Sequence, residues 1–244
     1  MKIGAIIQAR MGSTRLPGKV MLEIEDKTVL EHVIDRVRQS KLIDEIIIAT
    51  TTREQDLIIE AEALRCGVTV FKGSEEDVLE RYYLAAKKNK LDVVVRITSD
   101  CPLIDPNVLD DIICHYLKSN FSIVSNAGSD LSNRTYPRGL DTEVFSFKVL
   151  EEAFYKANDK YQREHVTPYI YETLINVFYY KNDKNYSQYR WTLDTIEDFE
   201  LISYVYRHLY HGVHDFYMND IVELFVNTPD LININSHIEQ KKIK

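Results

Sequence analysis

Cysteine, glycine and long apolar runs are all scarce in this chain. Its 244 residues include 3 cysteines and 8 glycines. Cys66, Cys101 and Cys114 are odd in number and form no C-x-x-C pair, so we expect reduced core thiols. No apolar stretch approaches the roughly 20 residues that a membrane-spanning helix needs, and residues 3–7 are too short for a secretion signal. These absences predict a soluble cytoplasmic protein.

An excess of positive charge is also missing. The chain has 38 acidic and 30 basic residues, and its net charge is −8. This balance argues against broad nucleic-acid binding, which needs a basic face. The length fits one large α/β domain or two small ones, and it can bury a core without disulfides or metals.

Strand-like and helix-like segments alternate without a break in the first half of the chain. We predict strands at residues 3–7, 44–50, 68–71, 92–98 and 121–125, and helices at 28–40, 54–66, 75–89 and 106–119. Thr28 is the predicted cap of the first helix. This alternation specifies an α/β fold with a mostly parallel central sheet and helices on both faces. Ligands bind such sheets beyond the carboxyl ends of the strands. One edge should therefore gather the loops that begin at Gln8, Thr50, Lys72 and Thr98.

The pattern changes after residue 126. We predict strands at 140–147, 177–181 and 189–193, helices at 148–157, 161–174, 196–209 and 218–226, and a loosely held tail from Asn233. Many of the 16 tyrosines follow residue 130, and aromatic side chains with a polar tip suit an interface. We interpret residues 1–244 as a single domain in which residues 127–190 form an insert.

Positive charge is concentrated in the first loop. Four basic residues precede the first acidic residue, Glu23; they are Lys2, Arg10, Arg15 and Lys19. A basic, glycine-containing loop in an acidic chain indicates an anion site. Its spacing fits neither a Walker loop nor the fingerprint G-x-G-x-x-G. We expect backbone N–H groups around Gly12 and Ser13 to hold phosphates with the basic side chains, and the alternative is a surface turn with solvated charges.

Two aspartates follow the ends of predicted strands. Asp100 lies two residues beyond the strand at 92–98, and Asp194 lies between the strand at 189–193 and a helix. Mg²⁺ beside a triphosphate is usually held by one or two carboxylates and phosphate oxygens. The alternative for each aspartate is a helix cap or turn former, which is the role that we expect for Asp105.

The segment QARMGSTRLPGK at residues 8–19 resembles the sugar-activating cytidylyltransferases. These include CMP-Kdo synthetases, acylneuraminate cytidylyltransferases and, with the nearest likeness, the spore coat polysaccharide biosynthesis protein F group. Asp100-Cys-Pro matches the acid-x-Pro element of the family, and the five residues from Asp194 match its Asp-x-x-Glu-Asp element. The resemblance implies a Rossmann-like, GT-A-like nucleotidyltransferase fold with an inserted subregion for substrate binding and dimerisation.

The same resemblance implies a Mg²⁺-dependent enzyme. It would transfer CMP from CTP to an acidic sugar and release pyrophosphate. The activated sugar would serve surface or spore coat polysaccharide synthesis. Asp100 and Asp194 would bind Mg²⁺. The implied nucleotide-binding residues are Gln8, Ala9, Arg10, Gly12, Ser13, Lys19, Gly73 and Ser74, and the implied catalytic residues are Arg10, Lys19 and Asp100. The partners would be CTP, a sugar and a second copy of the chain, without nucleic acid or membrane.

The acceptor side rests on two further segments. Arg138 in YPRGLDTEVF and His165 in REHVTPY resemble parts of the spore coat group. Arg138 could bind a sugar carboxylate through two parallel hydrogen bonds, and His165 could bind a hydroxyl or be a satisfied, partly buried histidine. The Kdo enzymes have a Gln before the metal-binding acid, where this chain has Thr98-Ser99. Open alternatives are therefore another base or acceptor, or a non-catalytic nucleotide-binding subunit of a polysaccharide assembly.

One other cluster could suggest a transition-metal site. His208, His211 and His214 are spaced by three residues, but Gly212 interrupts the helix among them. We interpret the three histidines as a surface helix end, where they complement the helix dipole.

Overall fold

The computed structural model of the chain describes residues 1–127, 131–174 and 176–239. The strands are β1 Ile3–Gln8, β2 Glu23–Ile24, β3 Lys27–Thr28, β4 Glu45–Thr51, β5 Thr69–Gly73, β6 Val93–Thr98, β7 Ile123–Ser125, β8 Glu143–Ser146 and β9 Val177–Tyr179. The α-helices are α1 Val29–Val37, α2 Leu57–Arg65, α3 Val78–Lys88, α4 Pro106–Leu117, α5 Phe147–Lys156, α6 Lys160–His165, α7 Pro168–Thr173, α8 Ile196–Leu209 and α9 Met218–Asn227. Short 3-10 helices span Lys19–Met21, Glu54–Asp56, Leu131–Asn133 and Pro229–Ile234.

Seven strands form one sheet in the order β5-β4-β1-β6-β8-β7-β9. Neighbouring strands are parallel, except that β8 runs antiparallel to β6 and β7. The mostly parallel α/β sheet predicted from the sequence is therefore confirmed. The segment 127–190 contributes β8 and β9 to this sheet.

Helices cover both faces of the sheet, as predicted. Successive strand side chains point to opposite faces, so Ala5 and Ile7 pack into one core while Ile6 packs into the other. The first core includes apolar residues of α1, α4, α8 and α9, and the second includes those of α3, α5 and α7.

The predicted elements before residue 126 are all present, with their ends within three residues of the predicted positions. Two predicted caps are confirmed: Thr28 Oγ1 accepts from Glu31 N at 3.0 Å, and Asp105 Oδ1 accepts from Asn107 N at 2.8 Å. The β2–β3 hairpin was not predicted, because two-residue strands leave no periodic pattern.

Two elements of the second half differ from the prediction. The helix predicted at 161–174 is divided into α6 and α7 by Val166, at φ 73°, and by Pro168. The strand predicted at 189–193 is wrong, because this segment forms only an isolated bridge between Arg138 and Arg190 and joins no ladder.

The tail is held more firmly than predicted, as far as residue 239. Asn235 is 2% exposed, and its Nδ2 donates to Arg190 O at 2.9 Å and to Asp198 Oδ1 at 2.8 Å. Residues 240–244 lie outside the described residues. Within the described ranges, no helix combines the length and apolar character needed to cross a membrane.

Candidate active site

The loops after β1, β4, β5 and β6 share one edge of the sheet, as predicted. Gln8, the last residue of β1, is paired with Ala49 on one side and Thr98 on the other. Thr51 at the end of β4 is paired with Gly73 at the end of β5. Side chains from all four loops can therefore reach one ligand.

The opening loop, residues 9–18, is closed by its own backbone. Gly18 N and Ser13 N both donate to Met11 O, at 3.1 Å and 2.8 Å, and Met11 N donates to Asp56 Oδ1 at 2.7 Å. Gly18 has φ 69°, a conformation that glycine adopts without strain. It leads directly into the 3-10 helix whose first residue is Lys19.

Lys19 joins the two aspartates that the sequence singled out. Its Nζ donates to Asp100 Oδ2 and Asp194 Oδ1, each at 2.8 Å, and to Leu193 O at 2.7 Å. An ammonium group has three donors, and all three are used. The structure thus brings together residues that are 81 and 175 positions apart in the chain.

The positive charge of Lys19 and the negative charges of Asp100 and Asp194 stabilise one another. Burial would lower the pKa of Lys19, but the carboxylates of Asp100 and Asp194 outweigh it and leave that pKa raised. Burial would raise the pKa of Asp100, but the charge and hydrogen bond of Lys19 leave it lowered. Two anionic oxygens therefore converge on one cation.

Asp194 is not the cap of α8. Thr195 and Asp198 form the capping box of that helix, so the competing interpretation of Asp194 does not hold. Its Oδ2 instead accepts from Arg190 at 2.9 Å and Arg15 at 2.8 Å. Arg190 also binds Asp198, with both contacts at 2.9 Å.

Asp100 is oriented by its own loop. Thr98 Oγ1 donates to Asp100 Oδ1 at 2.5 Å, and Leu193 N donates to Asp100 O at 2.8 Å. Thr98 thus orients the predicted metal ligand. Sequence reasoning missed Thr98 and Arg190 as site residues, and their hydrogen-bonding side chains beside the two aspartates were the available signal.

Gly139 determines where residues 189–193 lie. It has φ 99°, and a Cβ at this position would come within 2.5 Å of the carbonyl of Trp191. Arg138 N donates to Tyr189 O at 3.1 Å and Trp191 N to Arg138 O at 2.7 Å. The segment is thereby held against residues 138–139, and Asp194, which follows it, lies beside Asp100.

The remaining predicted nucleotide residues line the same edge. A Cβ on Gly12 would lie 3.6 Å from Gln55 Nε2 and 3.7 Å from Glu75 Oε1, so the opening loop approaches the loop after Gly73. Ser74 Oγ accepts from Asp77 N at 3.0 Å, and Ser74 O accepts from Arg81 at 2.8 Å.

Ala9 and Arg10 differ in exposure. Ala9 is buried, and its N donates to Ala49 O at 3.2 Å, so the strand pairing already uses this N–H. Arg10 is exposed. Burial lowers the pKa of Arg81, and the positive charge of Arg10 acts in the same direction.

Arg138 belongs to a group of cationic side chains. Burial lowers the pKa of Arg138, and Arg134 and Arg190 act in the same direction, while Asp141 opposes them. Arg134 donates to Asp141 Oδ1 at 2.5 Å. Among the described residues, the Arg138 guanidinium has no hydrogen-bond or ion-pair partner. It is half-buried and remains available to an anion.

His165 ends α6 and is half-buried. Its carbonyl accepts from Thr167 N at 2.9 Å across Val166. The structure places it at the corner between α6 and α7.

The three C-terminal histidines do not converge on a metal site. His208 is exposed, and its Nδ1 contacts Tyr204 O at 2.8 Å; His211 is also exposed. His214 is 8% exposed, and its Nε2 lies 2.8 Å from His32 Nδ1. The predicted surface position is therefore confirmed for the first two and wrong for His214, which a distant residue draws into the core.

Comparison with known proteins identifies the family. The profile described as "Cytidylyltransferase" matches residues 4–221. The chain belongs to the cytidylyltransferase family. The enzyme is 38% identical over 212 residues to the spore coat polysaccharide biosynthesis protein SpsF of Bacillus subtilis, with 83% of this chain and 85% of that protein covered.

Solved structures support the same assignment. A cytidylyltransferase from Leptospira borgpetersenii superposes on this one with a TM-score of 0.90 at 36% identity, over 99% of this chain and 100% of that one. A CMP-Kdo synthetase complexed with CTP superposes with a TM-score of 0.66 at 18% identity, over 85% of this chain and 99% of that one, and shows a shared fold. The protein is thus a CTP-utilising nucleotidyltransferase.

Proposed function

We propose that this cytidylyltransferase transfers CMP from CTP to an acidic sugar, with Mg²⁺ and with release of pyrophosphate, for surface or spore coat polysaccharide synthesis. The observation that carries the proposal is the convergence of Asp100 Oδ2 and Asp194 Oδ1 on Lys19 Nζ, each at 2.8 Å. It joins a phosphate-binding motif to two carboxylates at the ligand edge of the sheet.

The two aspartates fit a magnesium ion. Mg²⁺ prefers one or two carboxylates together with phosphate oxygens and water, and a cationic nitrogen already lies between these carboxylates. Asp100 and Asp194 would hold the ion, and Thr98 and Arg190 would keep them oriented. When bound, the ion would neutralise phosphate charge and polarise the phosphoryl oxygens.

The protein's own groups would bind and orient the substrates. Arg10, Ser13 and Lys19 would hold the triphosphate, and the main chain at residues 8–10 with the loop at 72–74 would enclose the base and ribose. Cationic side chains would stabilise the charge that grows on the departing pyrophosphate, and fixed geometry would replace a bimolecular encounter.

The acceptor would bind on the side formed by residues 127–190. Arg138, half-buried and close to two other arginines, suits a carboxylate, and His165 would bind a hydroxyl. We propose that this segment also carries a homodimer contact and that the enzyme works in the cytoplasm.

Pyrophosphate release tests the proposal. The protein is incubated with CTP, Mg²⁺ and a panel of ulosonic and nonulosonic acids, with neutral sugars as the control panel. We expect release only with CTP and an acidic sugar. Tight CTP binding in calorimetry without release for any acceptor would favour a non-catalytic subunit, and stronger thermal shifts with UTP, GTP or ATP would indicate another base.

A further inference from the structure

A largely buried ion pair lies beside the strand that begins the site. Arg96 of β6 and Glu143 of β8 face each other across the sheet, and Arg96 Nη1 donates to Glu143 Oε2. Their side chains are 17% and 7% exposed. Desolvation consumes most of the attraction in such a pair, so stability alone accounts poorly for it.

Glu143 is fixed from a second direction. Its Oε1 accepts from Thr167 Oγ1 at 2.9 Å and from Tyr171 OH at 2.8 Å. Thr167 follows Val166, whose φ of 73° is rare for a β-branched residue. Such strain persists only where the surroundings over-determine it. The carboxylate of Glu143 is therefore held between the sheet and the corner that carries His165.

Arg96, which Glu143 holds in place, also contacts Gln8. Its Nη2 donates to Gln8 Oε1 at 3.3 Å. A guanidinium carries donors and no acceptor, so the Gln8 atom that faces Arg96 is the carbonyl oxygen, and the amide nitrogen is turned the other way. Gln8 is also paired with Thr98, whose hydroxyl binds Asp100. Gln8 is therefore the neighbour of Thr98, which orients the proposed metal ligand Asp100.

We infer that Arg96 and Glu143 are positioning residues that orient Gln8, so that its amide N–H donates to an acceptor atom of the bound nucleotide. This inference rests on the proposed function. The acceptor is an oxygen or ring nitrogen of the cytidine, or an oxygen of the phosphates. A Gln whose carbonyl is already engaged offers the ligand a donor and not an acceptor.

Two substitutions of Gln8 test the donor. Gln8→Glu keeps an acceptor for Arg96 and removes the amide donor, whereas Gln8→Met removes both polar atoms without adding charge. Calorimetry on the full chain with Mg²⁺ measures affinity for CTP and for CMP. We expect each variant to bind CTP about tenfold more weakly, because a ligand acceptor is left unpaired.

The ligand panel locates the acceptor. A matching loss with CMP places it on the nucleoside or the α-phosphate, and a loss confined to CTP places it on the outer phosphates. CTP binding at wild-type strength by both variants would overturn the inference. A wild-type chain that fails to bind CTP would refute the proposed function, and this inference with it.

A double-mutant cycle tests the positioning. Arg96→Leu combined with Glu143→Leu removes both charges together, so that neither is left buried alone. In that background Gln8→Met should weaken CTP binding only about two- to threefold instead of about tenfold, because the amide is no longer pre-oriented. An unchanged tenfold effect would refute the positioning role. Should the double variant fail to fold, Arg96→Lys replaces it, since one ammonium on a shorter reach does not duplicate the planar guanidinium contact.

Discussion

Three basic side chains face three aspartates in the candidate active site. The basic residues are Lys19, Arg15 and Arg190, and the acids are Asp100, Asp194 and Asp198. A divalent ion carries as much charge as Lys19 and Arg15 together. Its binding between Asp100 and Asp194 would therefore free both side chains for the triphosphate without an excess of charge.

Lys19→Met tests this competition. We expect the nucleotide-free variant to bind Mn²⁺ about tenfold more tightly than wild type, because a competing charge close to two carboxylates is gone. CTP binding should weaken. Mn²⁺ titration followed by electron paramagnetic resonance measures the first effect.

Lys156→Met is the control for Lys19→Met. Lys156 also pairs with a carboxylate, that of Glu152, but it lies away from both the candidate active site and the Glu31, Glu62 and Cys66 cluster, so Mn²⁺ affinity should not change. Unchanged or weaker Mn²⁺ binding by the Lys19 variant would argue against the competition.

Asp100→Asn tests the metal ligand itself. We expect turnover to fall by at least about 10²-fold, as when a group that stabilises developing charge is removed, while the thermal midpoint stays near that of wild type. Pyrophosphate release and thermal unfolding are measured on the same preparation.

Ser146→Ala gives the opposite pattern and serves as the control for Asp100→Asn. Ser146 caps α5 through Val149 N at 3.1 Å, so its loss should cost about 1 kcal/mol of folding free energy and leave turnover intact. An active Asp100→Asn variant would remove Asp100 from the proposed metal site.

At the level of chain segments, Gly139 lies next to Arg138 of the proposed acceptor site and packs against the segment that leads to Asp194 of the proposed metal site. Gly139→Ala should destabilise the fold by more than the roughly 1–2 kcal/mol of a positive φ alone, because the new methyl group meets the Trp191 backbone. Turnover should fall as well, since Asp194 follows that segment. Urea unfolding and pyrophosphate release measure the two effects.

Gly212→Ala separates strain from collision. Gly212 has φ 90° and no atom within 4 Å of an added Cβ. Its substitution should therefore cost only the backbone strain of a positive φ and leave turnover normal. Equal effects of the two glycine variants would contradict the role given to Gly139.

Local signals explain which segments were predictable. The apolar run of β1, the caps Thr28 and Asp105, and the strand–helix alternation are written within short windows of sequence, and the structure bears them out. Residues 189–193 alternate like a strand, but they pair with residues 138–139 and Asp100 outside any ladder. That choice depends on Gly139, which is far away in sequence, so periodicity could not reveal it.

The site was predictable in part for the same reason. The motif at residues 8–19 and Asp100 were visible because each follows a strand end, whereas Asp194 was visible through the Asp-x-x-Glu-Asp element that it begins. Their partners were not: Arg190 binds Asp194 and Asp198, and Arg96 meets Gln8 only once β1 and β6 are paired. Long-range pairing of polar side chains has no counterpart in a one-dimensional pattern.

At the scale of the whole molecule, the stability of the fold depends on a buried histidine pair. His32 of α1 contacts His214, which precedes α9. Burial lowers the pKa of His32 to about 4 and that of His214 to about 3. An unfolded histidine titrates near pH 6.5, so the unfolded chain binds more protons below that pH. Stability should be greatest above about pH 6.5 and decline as the pH falls toward 4, with a loss on the order of 2 kcal/mol for each histidine by pH 5.

Chemical unfolding at pH 7 and pH 5 measures this loss. In His32→Gln the difference between the two pH values should shrink, whereas exposed His208→Gln should behave like wild type. A wild-type chain whose stability does not change between these pH values would contradict the buried, neutral pair.

A crystal soaked with CTP and Mn²⁺ tests the central claim most directly, because the anomalous signal of manganese locates the ion. We expect the peak between Asp100 and Asp194, with Lys19 moved onto the phosphates. Manganese at the Glu31, Glu62 and Cys66 cluster alone, or nucleotide bound while Lys19 still joins the two aspartates, would contradict it.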